Sequence, residues 1–215
     1  MPKDNFRRLP TAAEERANSI SHGFGLVASL AAAPILIGAA IKGGSTPTII
    51  GAVVFSLSMV SLYLASTLYH SLSHERGKDF FRVMDHGAIF LLIAGSYTPF
   101  TLGVLRGPWG WTLLGLIWGM AAAGLILTAV PATRHSRWSI VLYLAMGWLV
   151  IIAARPVLML VPPAGIVWIA AGGVAYTGGL VFYGRHRMRY HHFVWHLCVL
   201  MGTACHFCAV LWYAQ

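Results

Sequence analysis

The chain has 215 residues, of which 58% are hydrophobic and only 10% are charged, and its mean hydropathy is +0.71. Soluble domains carry roughly 25% charged residues, so this composition excludes an ordinary soluble protein and indicates a single integral membrane domain. The formal net charge of +9 would suggest nucleic acid in a soluble protein. Because the basic residues lie between apolar runs, we attribute them to lipid headgroups and membrane orientation, and we expect no nucleic-acid partner.

Seven apolar stretches are candidates for crossing a bilayer, for which a helix needs about 20 mostly apolar residues. The fifth is short, and Arg155 and Pro156 interrupt the apolar sequence at its end. In chain order the predicted spans are 19–41, 48–71, 83–104, 110–130, 138–154, 163–184 and 191–213. The sequence therefore predicts an all-α fold, a seven-transmembrane helix bundle, with a cytoplasmic segment at 1–18 and a transmembrane domain at 19–215.

The basic residues predict the orientation of this bundle. Twelve of the fifteen lysine and arginine residues fall in the N-terminal segment and in the second, fourth and sixth linkers. Cytoplasmic loops carry the excess of basic residues, so we predict a cytoplasmic N-terminus and a C-terminus outside. The first 18 residues have no apolar core, and we expect the first apolar run to be an uncleaved anchor rather than a signal peptide.

Three polar clusters that are distant in sequence fall at the same predicted membrane depth. Ser66 and His70 end the second span, Asp85 lies in the first turn of the third, and His192 and His196 open the seventh. All three span ends are cytoplasmic in the predicted topology. Ionisable groups inside spans usually mark a functional site, so we expect these five side chains to meet.

The spacing of the two helical histidines suits a metal ion. His192 and His196 lie at i and i+4, on one face and about 6 Å apart, which allows both imidazoles to bind one zinc ion. His70 would complete a three-histidine site with a fourth position open, as catalytic zinc sites require. Asp85 would then act as general base toward a water molecule, or would orient a histidine. Ser66 would hydrogen-bond that water or a substrate carbonyl.

Each of these residues also has an ordinary structural interpretation. A histidine pair at a helix start can simply sit in the headgroup layer. Asp85 alone would be a helix N-terminal cap, and Ser66 alone would bond to a carbonyl of its own helix.

Four further polar residues are candidates for supporting roles. Glu15, Asn18 and His22 share one face of the first span at the same boundary, where they would support the ligands or gate substrate. The alternative for these three is helix capping and an interfacial histidine. His206 lies ten residues beyond His196, about 15 Å along the helix axis. It cannot bind the same metal, and we expect it to face the bundle interior as a hydrogen-bonded group.

Taken together, these motifs resemble the shared pattern of a membrane superfamily. SxxxH ends the second span, an Asp starts the third, and HxxxH lies in the seventh, as in progestin and adipoQ receptors, alkaline ceramidases and bacterial hemolysin III proteins. The N-terminal EERANSISHGFG and the small size are most similar to the hemolysin III branch. The resemblance implies zinc near the cytoplasmic face held by His70, His192 and His196, with Asp85 holding a water molecule beside the ion and Ser66 as the motif serine. It also implies a bacterial inner, or plasma, membrane.

These expectations favour a zinc-dependent hydrolase of a lipid-like amide or ester, with membrane lipids as partners and the acyl chain in the bundle interior. One alternative is a non-enzymatic membrane-homeostasis or receptor-like protein whose structural zinc ties the second and seventh spans together. Another is a cytolysin or pore former. Because outer halves of the spans such as LAAAPILIGAA are nearly free of polar residues, the sequence argues against a monomeric channel and leaves only an oligomeric pore open.

Overall fold

A computed structural model describes residues 8–72, 75–133 and 138–214, and within these ranges every regular element is helical. The elements are α1 (Ala12–Lys42), α2 (Thr46–Ser71), α3 (Glu75–Leu102), α4 (Pro108–Ala129), α5 (Trp138–Gly147), a 3-10 turn (Leu149–Ala153), α6 (Ala154–Leu160), α7 (Pro163–Tyr183) and α8 (His191–Tyr213). Because α5, the 3-10 turn and α6 form one run, the described residues make seven long helical stretches. The predicted all-α, seven-helix architecture is confirmed.

Six of these stretches have the length and hydropathy of membrane spans: α1, α2, α4, Trp138–Leu160, α7 and α8. The predicted span 83–104 corresponds to the second part of α3 and the two residues after it, and α3 does not reach that hydropathy. It carries buried polar side chains, among them Asp85, Ser96 and Thr98, and packs between α2 and α4. The protein is thus a multi-pass membrane protein with six apolar helices. The inside–outside orientation and the predicted segments 1–18 and 19–215 stay predictions.

The largest differences from the predicted helix boundaries are two earlier starts, where polar first turns precede the apolar runs, and one later end. α1 starts at Ala12 rather than 19 because Thr11 and Glu14 form a capping box, in which Glu14 N donates to Thr11 Oγ1 at 3.3 Å and Thr11 N donates to Glu14 Oε2 at 2.8 Å. α3 starts at Glu75 rather than 83. The fifth run continues to Leu160 rather than ending at 154, since Pro156 lies in the first turn of α6, where proline is tolerated.

α2 is the central helix of the bundle, with 56% of its apolar window buried. It packs on α1 and α3, while α8 packs on α7 and α1. The contact between α1 and α2 is close at Gly25, where an added Cβ would lie 2.6 Å from Cδ1 of Tyr63. This packing brings together the starts of α1, α3 and α8 and the end of α2.

Candidate metal centre

Three histidines from two helices meet at this end of the bundle. One nitrogen of each of His70 (α2), His192 and His196 (α8) lies within 4.8 Å of the other two. The His70 ring centroid is 5.0 Å from both other rings, which are themselves 4.6 Å apart. His70 and His196 are buried and His192 is half-buried. The structure therefore brings together the three ligands predicted from sequence, and the cluster could hold a metal ion.

A carboxylate fixes the ring of His70. His70 Nδ1 lies 2.6 Å from Glu15 Oε2, and Lys78 Nζ donates to Glu15 Oε1 at 2.9 Å. Because a carboxylate only accepts, Nδ1 carries a proton, and Nε2 is the nitrogen of His70 that can bind a metal ion. Nε2 is buried and has no hydrogen-bond partner among the described residues. A histidine whose second nitrogen donates to a carboxylate is the usual arrangement around a bound metal.

The backbone of α1 fixes His196 in a similar way. His196 Nδ1 is 3.1 Å from the carbonyl oxygen of Asn18 and 3.1 Å from Ser21 Oγ. The Ser21 hydroxyl itself donates to the same carbonyl at 2.8 Å. Since the carbonyl only accepts, Nδ1 is the protonated nitrogen, and Nε2 is left as the ligand atom.

The donor set fits a zinc ion. His192 Nε2 is buried and, like His70 Nε2, lacks a partner within the described ranges. A buried unpaired polar atom costs about 1–3 kcal/mol, so two such nitrogens within one compact histidine group suit a cationic ligand. Three neutral imidazoles in a compact group are a common zinc environment. The geometry thus supports a metal here, and zinc remains the predicted identity.

His22 is the fourth imidazole of the cluster. Its ring stacks on His196 with a centroid distance of 3.5 Å and an interplanar angle of 8°. It is only 3% exposed, and no described residue hydrogen-bonds either of its nitrogens. The interfacial interpretation of His22 is therefore wrong. The capping interpretation of Glu15 is wrong too, because Glu14 forms the cap.

Asp85 and Ser66 lie beside the histidines. Asp85 is the eleventh residue of α3, not a first-turn residue, so it does not cap the helix. Asp85 is 6% exposed, and its carboxylate interacts electrostatically with His86 and His70. Ser66 Oγ faces this carboxylate without reaching normal hydrogen-bond geometry, and it has no partner in the part of the chain that the structure describes. Ser66 thus does not bond to its own helix. The catalytic roles of both residues stay predictions.

The cluster opens on a large cavity of about 1320 Å³. Asp85, His22, His192 and His196 line one part of it, and the walls beyond are mostly apolar residues of α3, α5, α6, α7 and α8. His206 also lines the cavity, and its Nε2 lies 3.3 Å from the carbonyl oxygen of Ile169. The ligand cluster and the apolar volume are thus continuous.

The first turn of α8 is held by α1. Glu14 pairs with Arg8, and its Oε1 accepts a hydrogen bond from the backbone N–H of Tyr190 at 2.8 Å. Tyr190, with φ 57°, is the one non-glycine residue with positive φ within the described ranges. Sequence reasoning missed Glu14, Ser21, Lys78 and Tyr190. Only Glu14 had a detectable signal, the TxxE spacing of a capping box.

Fold and site together define a class of protein: a multi-pass helical membrane protein with a buried three-histidine cluster shared by its second and last helices. The chain belongs to the Haemolysin-III related family, whose profile matches residues 11–207. This confirms the resemblance predicted from the motifs.

Relatives of known name cover nearly the whole chain. Hemolysin-3 of Bacillus cereus is 43% identical over 200 residues, which cover 93% of this chain and 91% of that protein. A Hemolysin-3 homolog of Bacillus subtilis is 42% identical over 203 residues, covering 94% and 95%. The human Monocyte to macrophage differentiation factor is 27% identical over 215 residues, covering 96% and 87%.

Proposed function

We propose that this protein is a zinc-dependent hydrolase that cleaves an amide or ester bond of a lipid-like substrate. One observation carries the proposal: a histidine cluster with two unpaired, buried imidazole nitrogens lies beside Asp85, and Asp85, His192 and His196 line a large, mostly apolar cavity. A purely structural metal site does not need such a cavity or a carboxylate beside it.

His70, His192 and His196 would hold the ion, with Glu15 and the Asn18 carbonyl orienting two of them. A bound zinc ion would supply Lewis acidity, which activates water and polarises a carbonyl group near neutral pH. The protein's part is to keep the ligand nitrogens deprotonated and aimed at one point, which the two Nδ1 hydrogen bonds do.

Asp85 is the general base in this proposal. Its carboxylate is buried beside the histidines and lines the cavity, so it can take a proton from water and return it to the leaving amine or alcohol. The Ser66 hydroxyl, unpaired within the described structure, donates a hydrogen bond to the substrate carbonyl or to the water.

The cavity receives the acyl chain. Its volume of about 1320 Å³ exceeds the 300–1,000 Å³ of common small-molecule pockets, and its walls are mostly apolar. With the predicted cytoplasmic orientation, the reactive end lies near the inner leaflet. The two Bacillus relatives support a bacterial inner membrane as the location.

A lipid hydrolysis assay tests the proposal. Purified zinc-loaded protein in nanodiscs is incubated with a panel of N-acyl amides and acyl esters, and released fatty acid is measured by mass spectrometry. Asp85→Asn should lower turnover by about 10²–10⁴-fold, and His196→Ala should abolish it. Asp79→Asn is the matched control, because Asp79 lies on the same helix but is exposed. Turnover that survives both site substitutions rejects the mechanism.

A structural metal is the second candidate. His70 belongs to α2 and the other two ligands to α8, and these helices pack chiefly on other partners. An ion would therefore link them directly in a non-enzymatic, receptor-like or membrane-homeostasis protein. Metal removal would then lower the melting temperature while no lipid is cleaved.

Cytolysis, suggested by the name of the Bacillus cereus relative, has less support. The acidic side chains and most histidines of the described helices gather at one end of the bundle, whereas Lys42, Arg155 and His206 lie away from it. Leakage of dye-loaded liposomes with purified protein alone would favour an oligomeric pore.

A further inference from the structure

A second polar group lies in the cavity wall, far from the histidine cluster. Tyr176 (α7) and His206 (α8) both line the cavity, with their rings edge to face at a centroid distance of 5.4 Å. Ten residues separate His206 from His196, which is about 15 Å along α8. Two glycines make room for the rings: a Cβ at Gly172 would lie 2.3 Å from His206, and one at Gly202 would lie 2.7 Å from Tyr176.

The hydrogen bonds around Thr203 show whether the Tyr176 hydroxyl can donate to a ligand or accept from it. Thr203 Oγ1 donates its only proton to the carbonyl oxygen of Val199 at 3.0 Å. It must therefore accept from both tyrosines that contact it, Tyr63 at 2.8 Å and Tyr176 at 2.8 Å. The Tyr176 proton is thereby used within the protein. The phenol oxygen keeps its lone pairs and can only accept a further hydrogen bond.

The hydrogen bond of His206 likewise shows which of its nitrogens can accept from a ligand. Its Nε2 faces the carbonyl oxygen of Ile169 at 3.3 Å, so Nε2 carries the proton. The acidic residues whose side chains the structure describes, Glu14, Glu15, Asp79 and Asp85, belong to the opposite end of the bundle, so burial favours a neutral ring. In neutral imidazole Nδ1 is an acceptor, and the hydrogen bond that His206 makes to the described residues uses Nε2 and not Nδ1.

We propose that Tyr176 and His206 form a second recognition point that binds a hydrogen-bond donor on the lipid ligand, such as a hydroxyl group part-way along its chain. Both groups offer acceptors, so a carbonyl or ether oxygen at this position has nothing to bond to. The ligand is therefore an amphiphile with two polar groups: one at the histidine cluster and a hydroxyl about 15 Å away along the direction of α8. This inference rests on the proposed use of the cavity as a lipid site.

A binding comparison among three fatty acids tests it. Octadecanoic acid, 12-hydroxyoctadecanoic acid and 12-oxooctadecanoic acid compete with radiolabelled octadecanoic acid for zinc-loaded protein in nanodiscs. The hydroxyl group of the second acid lies roughly as far from its carboxyl group as His206 lies from His196. We expect the hydroxy acid to bind about five- to tenfold more tightly than the other two, as one hydrogen bond in a desolvated site predicts.

Matched variants locate the effect. Tyr176→Phe and His206→Phe should each bring the affinity for the hydroxy acid down toward that for octadecanoic acid. Tyr63→Phe is the control, because it removes the same kind of hydrogen bond to Thr203 from a residue that does not line the cavity. Tyr63→Phe should preserve the preference.

The outcomes separate this inference from the proposed function. If none of the three acids competes, both the lipid-binding cavity and the second recognition point are rejected. If all three compete equally in the native protein, the cavity binds lipid but the wall position holds water only, and this inference alone is overturned. A preference for the oxo acid would also overturn it, since it would require a donor in the wall.

Discussion

Glu15 on the first helix and His70 on the second are joined by a hydrogen bond of 2.6 Å between Oε2 and Nδ1. The same carboxylate receives Lys78 Nζ at 2.9 Å. A residue outside the predicted ligand set thus sets the tautomer of a ligand, and Lys78 holds that residue in place.

Glu15→Gln should weaken zinc binding without preventing folding. The amide accepts a hydrogen bond less strongly than a carboxylate does, so His70 becomes a poorer ligand, and the affinity should fall by about 10–100-fold. Competition with a chelator of known affinity measures the change. Asp79→Asn, which removes an exposed carboxylate, should leave the affinity unaltered. Equal affinities for Glu15→Gln and the native protein would show that Glu15 does not support the metal.

Metal removal should lower thermal stability. A ligand present at 100 times its dissociation constant stabilises the folded state by about 2.7 kcal/mol, so chelation should lower the melting temperature measured in nanodiscs, and added zinc should restore it. His70→Ala should melt at the same temperature with and without chelator. If the chelator left the melting temperature of the native protein unchanged, this result would contradict metal binding at this cluster.

Gly25→Ala should destabilise the bundle at the site. The new Cβ would lie 2.6 Å from Cδ1 and 2.7 Å from Cε1 of Tyr63, so α1 must move away from α2 and carry His22 with it. Overpacking of this kind costs about 1–3 kcal/mol, and zinc affinity should fall as well. Gly38→Ala on the same helix meets nothing within 4 Å and should be neutral or slightly stabilising. Similar melting temperatures for the two variants would argue against this close contact.

Tyr190 should tolerate glycine better than valine. Its φ of 57° is a left-handed conformation that β-branched residues strongly disfavour, whereas glycine adopts it freely. Tyr190→Val should therefore melt at a lower temperature than Tyr190→Gly and should bind zinc more weakly, since this residue fixes the start of α8. A higher melting temperature for Tyr190→Val than for Tyr190→Gly would mean that Tyr190 does not keep this backbone conformation in the membrane.

Ser66→Ala should separate stability from turnover. The buried hydroxyl has no partner within the described ranges, so its removal should maintain or raise the melting temperature, because an unpaired buried hydroxyl costs about 1–3 kcal/mol. Hydrolysis in the lipid assay should nevertheless fall. A loss of stability with unchanged turnover would instead assign Ser66 a packing role.

The convergence of His70, His192 and His196 was predictable because alternating spans place alternate linkers on one side of the membrane. The seven apolar stretches along the sequence predicted the number of helices. The positions of Glu15, Asn18 and His22 on one face of α1 followed from helical periodicity, although their individual contacts did not.

Other features depended on the folded packing. The predicted start of α3 was wrong because the first turns of this helix are polar. The prediction therefore placed Asp85 too near the start of the helix. Ser21 reaches His196 only because α1 crosses α8 at that level, and no local signal indicates this. The cavity and the hydrogen bonds of Tyr176 and His206 arise from side chains of several helices, and a linear pattern does not contain their distances.

The contribution of α1 to the cluster bears on how the protein is made. Glu15 and the Asn18 carbonyl lie near the beginning of the chain, whereas His192 and His196 lie near its end. During synthesis, early spans enter the membrane with Glu15 and His70 already available, but the other two imidazoles arrive only with the last helix. Binding of an ion by all three histidines would therefore require the last helix, and a truncated product lacking that helix would lack two of the three candidate ligands.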